Sequence, residues 1–396
     1  MALFNLDHDR PISEQTVILE NGIYVPSTRR RREWKLNGGI LTSDGIQPTA
    51  ASCWHSSNTL AAEPPTISDI PPAGPSDPRT AVFLGHYSSM FGHFLLESTA
   101  RLWWLRKAGS TADVALMLKA KATSSSVIEA KMQEFAELCG IKLPPFVWPD
   151  QATTFHKLVV PPQGSGGLEM ALAAPEHRQM IIKRFASSID PQGGAKIYIS
   201  RSRLPGTHGT LIEEARLEKL LHAEGYEIFH PQEYSFQEQL ARYKAAELIL
   251  GVDGSAFHAV ALVAAIGRKR ISVIQRRITL EAYVQAEQLR RFGAADVMVI
   301  PGDKTSWSPA GIRRAALSMY GTLNFKLAGQ LLKDGGFITK THSWTETHFS
   351  ERMEAIRQIG AFLGADMFEV MHSQTDLTNY PAKAVPERIS LILLAQ

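Results

Sequence analysis

Two cysteines, Cys53 and Cys139, are all that 396 residues contain. That is too few for a disulfide framework or a cysteine zinc site. An excess of one charge is missing too. Lys and Arg number 42 against 39 Asp and Glu, a net +3, so there is no broad electrostatic footprint for nucleic acid. No apolar run approaches the ~20 residues of a membrane helix. The longest, 256–266, is short and contains His258. The opening MALFNLDHDR places charges where a signal peptide needs an apolar core, which predicts a cytoplasmic protein. HExxH, paired cysteines, Walker and GxSxG patterns are absent from the sequence, so neither a metal nor a bound cofactor is expected.

What is present is ordinary core-forming composition, 44% hydrophobic and 20% charged. The length suggests two or three domains. Residues 1–80 read as an N-terminal extension ending in a proline-rich connector, with six prolines between Glu63 and Pro78. The arginines at 29–32 form a local basic cluster, a solvated turn or a docking patch for a lipid headgroup. A first α/β domain is expected over 81–190. Its strands are placed at 81–84, 114–118, 144–148 and 157–160, with helices from Ser88 or Ser89 to about 104, over 124–139 and over 176–187. A second domain, 191–305, alternates strands (196–200, 226–229, 248–252, 271–275, 296–300) with helices. That alternation predicts a doubly wound parallel sheet, whose ligands sit beyond the strand C-termini. Residues 306–396 read as a helical region of unknown role, with helices at 309–319 and 349–363 and a terminal strand at 388–394.

Three polar constellations stand out. His93, Glu97 and Arg101 fall four apart within FGHFLLESTARLWWL and would share one face of a regular helix. The rest of that helix is apolar, so the three must pair with one another or line a cleft. A carboxylate beside an imidazole suits general base catalysis, with burial raising its pKa. A network that only joins two helices is the plainer alternative. Arg201 and Arg203 follow the strand KIYIS, where guanidinium forks suit phosphate oxygens. Pairing with Glu213 or Glu214 is the alternative there. In LILGVDGSAFHAV, Gly254 and Ser255 open a helix whose free amides and dipole suit an anion. His258 lies within that helix's first turn, as a ligand group or as a satisfied core histidine.

Taken in order, these segments resemble glycosyltransferase family 61, the DUF563 group of capsule and O-glycan transferases. The carrying residues are His93, Glu97 and Arg101-Leu102, then YISR at 198–201, GYEIF at 225–229, and QEQLARYKAAELILGVDGSAFHAV at 237–260. Asp253 stands where the family usually has histidine. The resemblance implies a GT-B-like fold, two Rossmann-like doubly wound domains facing across a cleft. It implies an inverting, metal-independent glycosyltransferase of the bacterial capsule or cell-surface polysaccharide type. Glu97 and His93 would be catalytic. Arg101, Arg201, Arg203, Asp253, Gly254, Ser255 and His258 would bind substrate. The partners implied are a nucleotide-sugar donor and a glycan or lipid-linked acceptor, with peripheral contact at the inner membrane face in the lipid case. Asp253 also motivates a second reading, a non-catalytic partner that binds a sugar nucleotide or glycan; a third is a different nucleotide-dependent group transferase on the same sheet.

Overall fold

The computed structural model describes residues 11–29, 35–66, 74–107, 109–277, 279–303, 305–311 and 319–371. Arginines 30–32, Pro71 and Pro72, residues 312–318 of the helix expected at 309–319, and the strand expected at 388–394 lie outside them. The chain divides into two units, one up to Ser188 and one from Ile189.

The first unit is built on a five-stranded sheet. Its strands are β1 (Val17–Val25), β2 (Gly39–Leu41), β3 (Ser76–His86), β4 (Val114–Leu118) and β5 (Thr153–Val160), in the order β2-β1-β5-β3-β4. β3 runs parallel to both neighbours, while β1 is antiparallel to β2 and β5. The sheet is therefore mixed, where a doubly wound parallel sheet was expected. The difference comes from residues 1–80, which supply β1 and β2 and so form part of this sheet.

β3 also begins five residues earlier than its apolar run, and it contains Pro78. Proline cannot donate to a ladder, and the β3–β5 register shifts between Asp77 and Thr80 to accommodate it. The apolar centre of β3, residues 81–84, is fully buried, as expected for a strand flanked by parallel neighbours. Residues 144–148 make only one bridge, Ala115↔Phe146. They cover the exposed edge of β4, which would otherwise present unpaired backbone.

α1 (Ser125–Leu138) and α2 (Pro175–Arg184) match their sequence patterns. The segment after β3 does not. It is one α-turn (Phe91–His93), a π-turn (Phe94–Ser98) and a 3-10 turn (Leu102–Arg106). Neither Ser88 nor Ser89 caps it; Met90 occupies that position, and Ser88 donates its amide to Ser98 Oγ at 2.9 Å. π-turns of this kind are frequent at functional sites.

The second unit carries β6 (Lys196–Ile199), β7 (Glu227–Phe229), β8 (Leu248–Val252), β9 (Arg270–Ile274) and β10 (Asp296–Ile300), all parallel, in the order β7-β6-β8-β9-β10. The chain reverses direction across the sheet between β6 and β8, which makes the crevice beyond their C-termini the switch point for ligands. The helices are α3 (Glu214–Ala223), α4 (Phe236–Ala245), α5 (Ala256–Val263) and α6 (Glu281–Arg291). Ser235 and Glu238 form a reciprocal capping box at the start of α4. Ser235→Ala is expected to cost about 1 kcal/mol; an unchanged urea midpoint would remove the cap from the account.

Among the described residues beyond 304, the chain is not helical throughout. α7 (Phe325–Asp334) and α8 (Phe349–Leu363) accompany a three-stranded antiparallel sheet of Thr305–Pro309, Tyr320–Gly321 and Met367–Met371. Phe325, Leu332, Phe337 and Trp344 pack into the same core as Tyr198, Leu250 and Ile274 of the parallel sheet. Each such buried side chain contributes roughly 1.5–3 kcal/mol.

Candidate active site

Glu97 sits on the π-turn and is 2% exposed. Three histidines converge on its carboxylate. Oε1 lies 2.6 Å from His93 Nδ1 and 2.9 Å from His55 Nδ1; Oε2 lies 2.9 Å from His86 Nε2. An ionised carboxylate only accepts, so each nitrogen facing it carries its proton. Burial alone would raise the Glu97 pKa. The hydrogen bonds from His55, His86 and His93 outweigh it and hold the carboxyl well below the ordinary range. The raised carboxylate pKa expected from burial is thus reversed.

The cluster has a buried side and an open side. His86, the last residue of β3, is 4% exposed. Burial disfavours its charge, but the Cys53 thiol and Glu97 beside it raise its pKa to about 9. Cys53 is itself buried. Burial works to raise its pKa, yet the Arg101 guanidinium and His86 bring it below the ordinary thiol value. On the other side, the His55 and His93 side chains are 34% and 29% exposed. His55 is held through the backbone: Gln163 accepts from Trp54 N and donates to Trp54 O, both at 2.8 Å, and Gly167 N donates to His55 O at 2.7 Å.

Arg101 does not join Glu97. The break in the helix turns it inward, where it is fully buried. Nε donates to Pro161 O at 2.8 Å, and Nη2 donates to Ala50 O at 3.0 Å and Ser52 O at 2.8 Å. A Cβ at Gly85, which has φ +93°, would stand 2.5 Å from Arg101 Nη1. Glycine is required there for both the conformation and the space. Arg101 is therefore a structural arginine, in place of the substrate contact expected of it.

In the second unit, the loops after β6 and β8 bring Arg201 and Gly254 together. A Cβ on Gly254 would lie 2.5 Å from Arg201 Nη1. Arg201 donates to Gly209 O and His208 O, while its backbone amide donates to buried Glu214 at 2.8 Å. Glu213 pairs with Arg352. Arg203 does not converge with Arg201. It is exposed, pairs with Glu233 at 3.0 Å, and lines a separate hollow of about 370 Å³ with Lys219, His222 and His230.

Asp253 is fully buried and accepts from Arg276 Nε at 2.9 Å and from its amide at 3.1 Å. It holds the β8–β9 edge and presents no free oxygen to a ligand. Gly254 N donates to Gln285 Oε1, and its carbonyl accepts from Gln285 Nε2, both at 3.2 Å. The Gly254 amide is thus occupied, contrary to the expectation of a free one. Ser255 makes no side-chain cap, and α5 begins beside it. His258 Nδ1 bonds Gln288 Oε1 at 2.7 Å.

Sequence reasoning missed His55 and His86. No periodicity links residue 55 to residue 97. His86 closes a strand in the AVFLGH run, and its place at a strand C-terminus was the available signal.

Residues 91–271 match the family model for Glycosyltransferase 61, a stretch that runs from the π-turn segment through β8 and α5. This protein is accordingly a glycosyltransferase. Its domain over those residues is of glycosyltransferase family 61, which implies a sugar donor and a glycan acceptor in general. His93 and Glu97 lie inside the matched stretch; His55 and His86 lie before it. No curated protein matches the chain. Among the described residues, no helix is long and apolar enough to cross a membrane.

Proposed function

We propose that the enzyme is an inverting glycosyltransferase that uses a nucleoside diphosphate sugar and a hydroxyl of a glycan or lipid-linked acceptor, in cell-surface polysaccharide synthesis on the cytoplasmic side. The GT-B arrangement implied by the resemblance belongs to this reading. The observation that carries it is the pairing of half-exposed imidazoles with a buried carboxylate. Glu97, with both oxygens accepting hydrogen bonds, is poorly placed to take a proton. It fixes the His93 tautomer so that Nε2 is the bare, basic nitrogen.

His93 Nε2 then removes the proton as the acceptor oxygen bonds to the anomeric carbon. The bond from that carbon to the diphosphate oxygen breaks, and its electron pair leaves with the nucleoside diphosphate. Arg201 and the start of α5 at Ser255 are the groups assigned to that charge, in place of a metal at the diphosphate. Asp253 is buried against Arg276, Arg203 lines another hollow and His258 bonds Gln288, so these three are left out of the assignment. Arg29, from the basic run, forms an ion pair with Glu63 at 2.5 Å, which weakens its case as a membrane patch.

The test is a thermal-shift series with UDP, GDP, dTDP and CMP sugars, with and without chelator. A ligand that binds only the folded protein raises its melting temperature. One diphosphate class is expected to raise it, unaffected by chelator, with the shift lost in folded Arg201→Ala. A shift from CMP sugars alone would sink the diphosphate assignment. Silence across the panel would sink the donor site.

A further inference from the structure

We infer that His55, His93 and Glu97 form a binding site for one divalent transition-metal ion of the zinc class. The three offer two imidazole nitrogens and a carboxylate oxygen, all within 4.8 Å of one another. Two histidines and one carboxylate facing an open side are the donor set of metal sites that keep free positions for water or substrate.

The set is also built. Glu97 is buried, and His86 holds its Oε2 from behind at 2.9 Å, so that Oε1 points between the two exposed rings. A hydrogen-bonded partner behind a ligating carboxylate is the usual outer layer of such sites. The rings of His55 and His93 lie 4.7 Å apart at 45°, so both Nδ1 atoms approach the same oxygen from different directions. Their separations from Oε1, 2.9 and 2.6 Å, are shorter than the ~3.3 Å edges of a tetrahedral zinc site with bonds near 2.0–2.1 Å. The site would widen by about half an ångström, the scale of a small ring rotation at half-exposed positions. Imidazole donors favour zinc, cobalt, nickel or copper, while magnesium and calcium prefer oxygen cages.

Such an ion would take the Nδ1 lone pairs by displacing the protons now given to Glu97. A loaded site and a His93 base are therefore alternatives. The two ideas fail separately, because metal binding is read with no donor or acceptor present.

The experiment is a Co²⁺ titration of the chelator-treated full chain, followed by visible absorption and by elemental analysis after desalting. The expected result is one equivalent bound with d–d bands, displaced by Zn²⁺ and not by Mg²⁺. Affinity should fall at least about tenfold in His55→Gln and in His93→Gln, and stay unchanged in His222→Gln, a histidine of the second unit that lines the hollow with Arg203. The ring positions are half-exposed, so both variants should fold, and circular dichroism checks this. No bands at one equivalent, or bands that persist in both His55→Gln and His93→Gln, would overturn the site.

Discussion

His93→Ala is expected to lower kcat by roughly 10²–10⁴-fold, the usual contribution of a positioned general base, with KM little changed. The reason lies in the geometry on Glu97. The carboxylate is buried, and its Oε1 lies 2.6 Å from His93 Nδ1. That bond fixes the ring and places the proton on Nδ1, which leaves Nε2 as the nitrogen with a free lone pair. Removing the ring removes the proposed proton acceptor and leaves Arg201 and Ser255, the groups proposed for the diphosphate, unchanged. Glu97→Gln should also lower kcat, because an amide oxygen orients the imidazole but stabilises the imidazolium less. Initial rates at saturating donor decide the matter. A His93→Ala rate within about threefold of the unmodified enzyme, under ~0.7 kcal/mol of barrier, would take His93 out of the proton path. Transfer maintained in His93→Ala but lost in His55→Ala would give the role to the twin imidazole.

Arg101→Ala is expected to produce the largest loss of stability, about 3–5 kcal/mol. The side chain is wholly buried and satisfies three carbonyls, from Pro161, Ala50 and Ser52. Its guanidinium also lies 5.3 Å from the centre of the Phe83 ring. Alanine would strand those carbonyls away from water and leave a cavity beside β3. Arg101→Lys should recover little, since an ammonium cannot reproduce the planar fork that spans separate carbonyls. Such a loss is a large share of the 5–15 kcal/mol typical of a folded domain. A melting temperature within about 2–4 °C of the unmodified protein would show that these bonds contribute little.

The parallel sheet of the second unit was legible almost element by element, whereas α7 and the strands Thr305–Pro309, Tyr320–Gly321 and Met367–Met371 were not. β6 through β10 and the helices between them follow from apolar runs punctuated by Gly225, Ser235 and Gly254, because a buried parallel strand needs a continuous apolar run and each crossover needs a helix. The first unit was less legible. β1 carries exposed and half-buried residues along much of its length and β2 is only three residues long, and the place of β1 in the sheet depends on pairing with β5, more than 100 residues away. Periodicity reports on neighbours along the chain and carries no information on such partners.

The same limit divides the candidate site. The four-residue spacing of His93 and Glu97 survives in the folded chain because it needs only one turn of local structure. Arg101 shared that spacing, but the regular helix ends at the π-turn and Arg101 is buried against backbone carbonyls. His55 and His86 were invisible because their distance from Glu97 is set by β3 and by the segment that Gln163 holds in place. The sequence by itself determined the glycosyltransferase character, the parallel sheet of the second unit and the His93–Glu97 pair, since all three rest on local pattern. Tertiary structure alone decided the protonation of Glu97. Burial pushed its pKa one way, three converging imidazoles pushed it harder the other, and only folding brings those imidazoles within 3 Å.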